Sequence, residues 1–96
     1  VVNIPPNVSE LALDAGNPAS GTLPVGALSV RTDFGKPGYG GPCPPEGDHP
    51  HRYLFTVHAV SMDALPVTAE TSAAVVGFYL SFNTLAKAAL MGLCKR

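Results

Sequence analysis

The spacing of apolar positions changes period once along this 96-residue chain, near residue 68. Before that point, residues 53–60 concentrate aromatic and β-branched side chains. In an extended backbone Tyr53, Phe55, Val57 and Ala59 share one face, and Leu54, Thr56, His58 and Val60 share the other. Both faces are mostly apolar, which predicts a central strand covered on two sides. After residue 68, Val75, Phe78, Phe82 and Leu85 recur at helical spacing. Thr68, Thr71 or Ser72 can cap the start, and Glu70 suits the positive end of the dipole. The spacing predicts a helix over residues 71–83. Residues 87–93 fit either more helix or a returning strand, and their Ala and Leu content favours helix.

The first half is less regular. Residues 1–4 read as a strand stopped by Pro5 and Pro6, where two successive positions lose a ladder donor. Residues 7–28 read as loop, with turn chemistry from Asp14 to Pro18 and at Ser20-Gly21. Within it Leu11 and Leu13 suit a short strand or an apolar anchor, and residues 28–31 suit another short strand. No repeat or linker divides the chain, so residues 1–96 read as a single, mainly β domain with one C-terminal helix.

Composition narrows the function classes. Ten Gly and ten Pro exclude a coiled coil or simple bundle, while 46% hydrophobic and 14% charged residues exclude disorder. The net charge is −1, and of six basic residues only Lys95 and Arg96 are adjacent. No basic stripe exists to displace counterions, so no nucleic-acid partner is expected. The longest apolar run, residues 73–80, is shorter than the roughly 20 residues of a membrane span. The residues present hold no charged segment followed by an apolar run of signal-peptide form.

Candidate chemistry concentrates in residues 39–53, Tyr-Gly-Gly-Pro-Cys-Pro-Pro-Glu-Gly-Asp-His-Pro-His-Arg-Tyr. Gly permits close backbone approach and Pro fixes φ, so this loop is stiff, and its N–H groups near Gly41 can form an anion nest. His51 and Tyr53 lie two apart at a strand start and point the same way. An imidazole and a phenol beside a nest suit a phosphate or carboxylate, with Pro44 and Pro45 as walls. Arg52 points oppositely and is expected in an ion pair with Asp33. His58, within the strand, reads as a satisfied core or interface histidine. Phe78, Tyr79 and Phe82 read first as helix packing. His49 and His51 form an H-x-H pair, but the sequence displays no third ligand at suitable spacing, so no metal and no cofactor are expected. Asp48 lies beside His49, yet no nucleophile motif accompanies it, so neither catalytic residues nor an enzyme are expected. Whether Cys43 pairs with Cys94 is left open by the sequence.

Gly41, Pro44-Pro45, Gly47 and His51-Arg52-Tyr53 resemble the second signature of the phosphatidylethanolamine-binding protein family, also called Raf-kinase-inhibitor-like. Residues 1–5, residues 31–35 (Arg-Thr-Asp-Phe-Gly) and residues 85–88 (Leu-Ala-Lys-Ala) resemble its bacterial branch. The resemblance implies a β-sandwich carrying one helix, here without its N-terminal part. It also implies a non-enzymatic module that recognises phosphate or phospholipid head-groups through Gly41, Pro44, Pro45, His51 and Tyr53, and that modulates a partner protein. The alternatives are a kinase or protease inhibitor acting through the Pro-rich loop, and a His-based hydrolase.

The family's first signature, with an Asp and a His for the pocket, belongs upstream of Val1. Asn83 stands where a His is common, and Cys94 where an aromatic residue is common. Periplasmic relatives resemble this chain in a Cys between Gly-Pro and Pro-Pro whose partner lies in the N-terminal half. A bridged Cys43 implies a periplasmic or secreted protein, and a free one leaves the cytoplasm open. Size and edges predict that the chain does not stand alone. About 60–65% of the unfolded surface is expected to be buried, and unpaired strand edges invite either an N-terminal fragment as a second polypeptide or a homo-oligomer.

Overall fold

The apolar alternation of residues 51–60 becomes β1 (His51–Val60), which pairs antiparallel with β2 (Thr84–Cys94) in a two-stranded sheet. The computed structural model describes residues 1–96 throughout. The register runs from His51 opposite Cys94 to Val60 opposite Thr84, with Leu85 the extra residue of a bulge at the far end. Opposed residues share a face. One face therefore carries His51, Tyr53, Phe55 and Val57 with Gly92 and Leu90, and the other carries Leu54 and His58 with Met91 and Lys87.

α1 (Ala73–Asn83) is capped by Ser72, whose hydroxyl accepts from Val75 N–H at 3.4 Å. Thr68 and Thr71 are occupied in the preceding turn, where Thr71 Oγ1 accepts from Thr68 N–H at 2.9 Å. The helix runs directly into β2, and Thr84 N–H donates to the Leu80 carbonyl as the backbone turns extended. Ser61 N–H donates to the Asn83 carbonyl at 2.9 Å, which ties this junction to the end of β1.

Four sequence expectations need correction. Residues 53–60 do form a strand, but it is paired on one edge only, and Leu54, Phe55 and Val57 remain exposed on its two faces. A second sheet layer is not formed within residues 1–96, so the β-sandwich is not present in this chain's own sheet. Residues 87–93 are strand rather than helix, because pairing with β1 outweighs the helix preference of Ala and Leu. The stripe Val75, Phe78 and Phe82 faces solvent, and the half-buried side of α1 is Val76, Tyr79, Leu80 and Asn83. Periodicity identified a helix but chose the wrong inward face, since both sides of it are apolar.

In the first half only bridges replace the expected strands. Val2 and Leu28 exchange backbone hydrogen bonds of 2.9 and 3.0 Å, and Arg31 bridges Pro37 and Ser72. Asn3 ends the extended run of residues 1–4 by adopting φ 60°. Its amide then accepts from Leu65 N–H at 2.7 Å and donates to the Leu65 carbonyl at 3.2 Å, mimicking a ladder across 62 residues. Leu11 and Leu13 are both exposed and anchor nothing. A single 3-10 turn at Pro18–Ser20 starts at Asn17, and Tyr39 N–H reaches back to the Gly16 carbonyl at 2.8 Å.

Little of the chain is buried: Val2, Ala15, Leu65 and Pro44, of which Pro44 alone is fully so. The accessible surface is 6972 Å², whereas a folded monomer of this mass exposes about 5,200 Å². The chain thus hides about half of its unfolded surface, less than its length predicts. No helix is long and apolar enough to cross a membrane.

Gly38 is where the loops meet most closely. It has φ 109°, and a Cβ there would lie 2.6 Å from Pro18 Cδ. Gly47, at φ 80°, has open space around it. Gly47→Ala is expected to cost about 1 kcal/mol from backbone strain alone, and Gly38→Ala distinctly more, because the proline ring must also move. Urea denaturation of the two variants checks the order.

Candidate functional site

The site begins with the stiffness of residues 41–50. Pro44 is fully buried, and its carbonyl accepts from Arg96 Nε–H at 2.6 Å. Gly47 N–H donates to the Arg96 carbonyl at 3.1 Å. Arg96 therefore clips both ends of the Pro44–Gly47 turn just beyond β2. Adjacent to this, Tyr39 packs edge-on against Phe55 with ring centroids 6.0 Å apart, holding the start of the loop to one face of β1. A Cβ added at Gly41 would meet the Tyr39 ring at about 3.6 Å.

His51 is the first residue of β1, and Tyr53 follows it on the same face, both half-buried. Tyr53 lies opposite Gly92, where an added Cβ would touch nothing within 4 Å, so open space flanks the phenol. Pro50 separates His51 from His49, and Asp48 sits at the turn before them. The Asp48 carboxylate meets His51 Nε2 at 2.7 Å and His49 Nδ1 at 3.0 Å, and it also accepts from His49 N–H at 3.0 Å. An ionised carboxylate only accepts, so both ring nitrogens facing it carry hydrogen. The bond from His51, then the His49 backbone and ring bonds, hold the Asp48 carboxyl below its ordinary pKa of 3.8.

The structure places the five sequence-predicted residues unevenly. His51 and Tyr53 share one open face, and Gly41 lies under Tyr39 on the loop that contacts that face. Pro45 is exposed, whereas Pro44 is buried beneath Arg96. Arg52 is exposed and makes no ion pair with Asp33; the close ion pairs are those of Asp48 with His49 and His51. Alternation sets Arg52 opposite Leu93, on the face away from His51 and Tyr53. Cys43 and Cys94 are both free thiols, so they are not bridged to each other. His58 is half-buried and satisfied, its Nδ1 being 3.1 Å from Thr84 Oγ1. Sequence reasoning missed Arg96 as a clip, since nothing in a terminal basic pair signals a carbonyl 52 residues away. It also gave Asp48 no partner in His51, although three residues across a turn is a short reach.

A cavity of about 570 Å³ opens elsewhere, between α1 and the sheet, lined by His58, Gly77, Leu80, Ser81, Thr84 and Lys87 among others. It includes none of Gly41, Pro44, Pro45, His51 or Tyr53. Its polar groups are largely engaged with each other, through His58 with Thr84 and Ser81 with the Gly77 carbonyl.

Comparison with known proteins bears on the whole chain. The profile of a family described as phosphatidylethanolamine-binding protein matches residues 1–95. The chain is 48% identical over 88 residues to UPF0098 protein YbcL of Escherichia coli K12, covering 92% of this chain and 48% of that protein. It is 42% identical over 93 residues to UPF0098 protein YbhB of the same organism, covering 97% and 58%. The crystal structure of E. coli YbcL, described as a new member of the mammalian PEBP family, superposes with a TM-score of 0.90 at 42% identity, covering 98% of this chain and 57% of that one. The chain spans about half the length of the curated relatives it matches.

The ranking of contacts on Asp48 has a measurable consequence. A carboxyl held below its ordinary 3.8 adds stability that is complete above that value and is lost as pH falls through the lower folded value. In carboxyl-carbon NMR titrations, Asp48 is expected to titrate below its ordinary value of 3.8. His51→Ala should return it further toward 3.8 than His49→Ala, because the latter keeps the backbone bond.

Proposed function

This chain belongs to the phosphatidylethanolamine-binding protein family, and on that premise we propose that it is a non-enzymatic binding module for small phosphate-type anions, including phospholipid head-groups. The observation that supports this reading is the open strip beside Tyr53 and Gly92, with a His51 ring fixed in place at its end. Asp48 occupies Nε2, which leaves Nδ1 as the ring nitrogen a ligand can use. Tyr53 adds a hydroxyl donor on the same face, and the backbone near Gly41 adds N–H groups from the loop. Pro45 walls the exposed side, while buried Pro44 keeps the loop in shape. The resemblance around Cys43 favours a periplasmic or secreted location, with the cytoplasm as the alternative.

The charge state follows from the hydrogen bonds. With Nε2–H given to Asp48, Nδ1 of a neutral ring is an acceptor, and it donates to an anion only as imidazolium. Calorimetric titration with inorganic phosphate and with phosphoethanolamine, in the presence of EDTA, tests the reading. His51→Ala should cost about 1–3 kcal/mol of binding. Equal affinity in the variant for every anion tested rejects His51 as a contact. Phosphate-independent binding of a protein through the Pro-rich loop would favour the inhibitor reading instead.

We also propose that further polypeptide covers the exposed apolar faces. The surface exceeds that of a folded monomer by about 1,800 Å², and Leu54, Phe78, Phe82, Leu90 and Leu93 are all more than 60% exposed. That excess on one partner corresponds to an obligate interface rather than a transient one. The occupant is polypeptide equivalent to the rest of the family fold, and a second copy is the other outcome. Analytical ultracentrifugation of the 96-residue chain should give a folded, self-associated species. A cooperatively unfolding monomer of 9.9 kDa would overturn this.

A further inference from the structure

We propose that Asp48, His49 and His51 form a binding site for a first-row divalent cation of the zinc, copper and nickel class. The sequence offered two imidazoles and no third donor; the fold supplies the third. His49 Nδ1, His51 Nε2 and an Asp48 oxygen lie within 4.8 Å of one another, and both rings are aimed at one carboxylate. Ring nitrogens bound to one such ion at about 2.0–2.1 Å can be at most about 4.2 Å apart. That limit is reached only in a linear arrangement; tetrahedral coordination sets the two nitrogens about 3.3–3.4 Å apart, so the rings need to close by up to about 1.5 Å, and the His49 side chain, 80% exposed, is free to rotate. The ring centroids are already 5.1 Å apart and tilted by 36°.

The backbone limits how far these donors can spread. Pro50 lies between the two histidines, His51 is held in β1 opposite Cys94, and Gly47 is tied to Arg96 immediately before Asp48. His49 N–H holds the Asp48 carboxylate from the other side at 3.0 Å. The donor set is two imidazoles and a carboxylate, which suits zinc, copper, nickel and iron better than calcium or magnesium. On binding, each ring moves its hydrogen to the far nitrogen, and the cation replaces the two N–H groups on the carboxylate. Three protein donors leave positions for water, or for an oxygen of a phosphate-type anion. An anion near His51 otherwise meets the negative charge of Asp48, and a cation removes that repulsion. The site shares His51 with the anion reading but does not rest on it.

The test titrates Zn²⁺ and Co²⁺ alone into the EDTA-stripped 96-residue chain. One equivalent of Zn²⁺ is expected to shift the imidazole NMR signals of His49 and His51 and leave His58 in place. The Co²⁺ adduct should lack a thiolate charge-transfer band, which separates this site from Cys43 and Cys94. His49→Ala, at a residue whose side chain is 80% exposed, should weaken binding by at least about 10–100-fold, the loss that even an outer-shell partner commands. Asp48→Asn should weaken it in the same direction. No saturable binding, unchanged affinity in His49→Ala, or a thiolate band would overturn the proposal. Phosphate binding measured with EDTA present reads the anion site independently, so either can fail alone.

Discussion

Everything that positions the site depends on one pairing, the antiparallel register of β1 with β2. It sets His51 opposite Cys94 and Tyr53 opposite Gly92, and it delivers Arg96 to the Pro44–Gly47 turn. A two-stranded ribbon is marginal by itself, because each face needs a covering layer to hide its apolar side chains. Here α1 lies against one end of one face and the Tyr39 loop against the other. The rest of both faces is open. Backbone pairing therefore fixes geometry in this chain more than apolar burial does.

The stiff loop illustrates how that geometry reaches the chemistry. Pro residues restrict the chain before it reaches the strand, so few conformations must be given up when Arg96 closes the turn. Burial of Pro44 follows from the clip, and it changes the role of this residue from pocket wall to loop anchor. The same turn brings Asp48 within reach of His51. That contact fixes the ring, dictates which nitrogen carries hydrogen, and gathers His49 into the same cluster. A carboxylate between two imidazoles is an unusual neighbour for an anion site. On the proposed reading, anion capture needs a positive charge beside Asp48, held on His51 or on a bound cation.

Exposed apolar residues are common on protein surfaces when scattered, but they are contiguous here. Phe78 and Phe82 meet edge-to-face at 5.1 Å along the outer side of α1, while the sheet shows Leu54, Met91 and Leu93. Cover by further polypeptide, as proposed above, accounts for both faces of β1 and both sides of α1 reading as apolar in the sequence.

Sequence alone determined the elements whose signal is local. The strand ending at Val60, the helix ending at Asn83, the stiff Gly/Pro loop and the shared side of His51 and Tyr53 all follow from periodicity, propensity and the steric limits of Gly and Pro. The family was legible for the same reason, since its signature is a contiguous run of residues. Tertiary structure decided whatever depended on distant partners. It made β2 a strand despite its Ala and Leu, because β1 offered a ladder. It turned Val76 and Tyr79 inward rather than Val75 and Phe78, because only the sheet says which side of an all-apolar helix is covered. It reduced the expected N-terminal strand to a single bridge at Val2, followed by Asn3, whose amide found Leu65, and it left Arg52 without Asp33. A residue's own backbone preferences are written beside it in the sequence, whereas the partner that satisfies its hydrogen bonds or covers its side chain is chosen only when the chain has closed on itself.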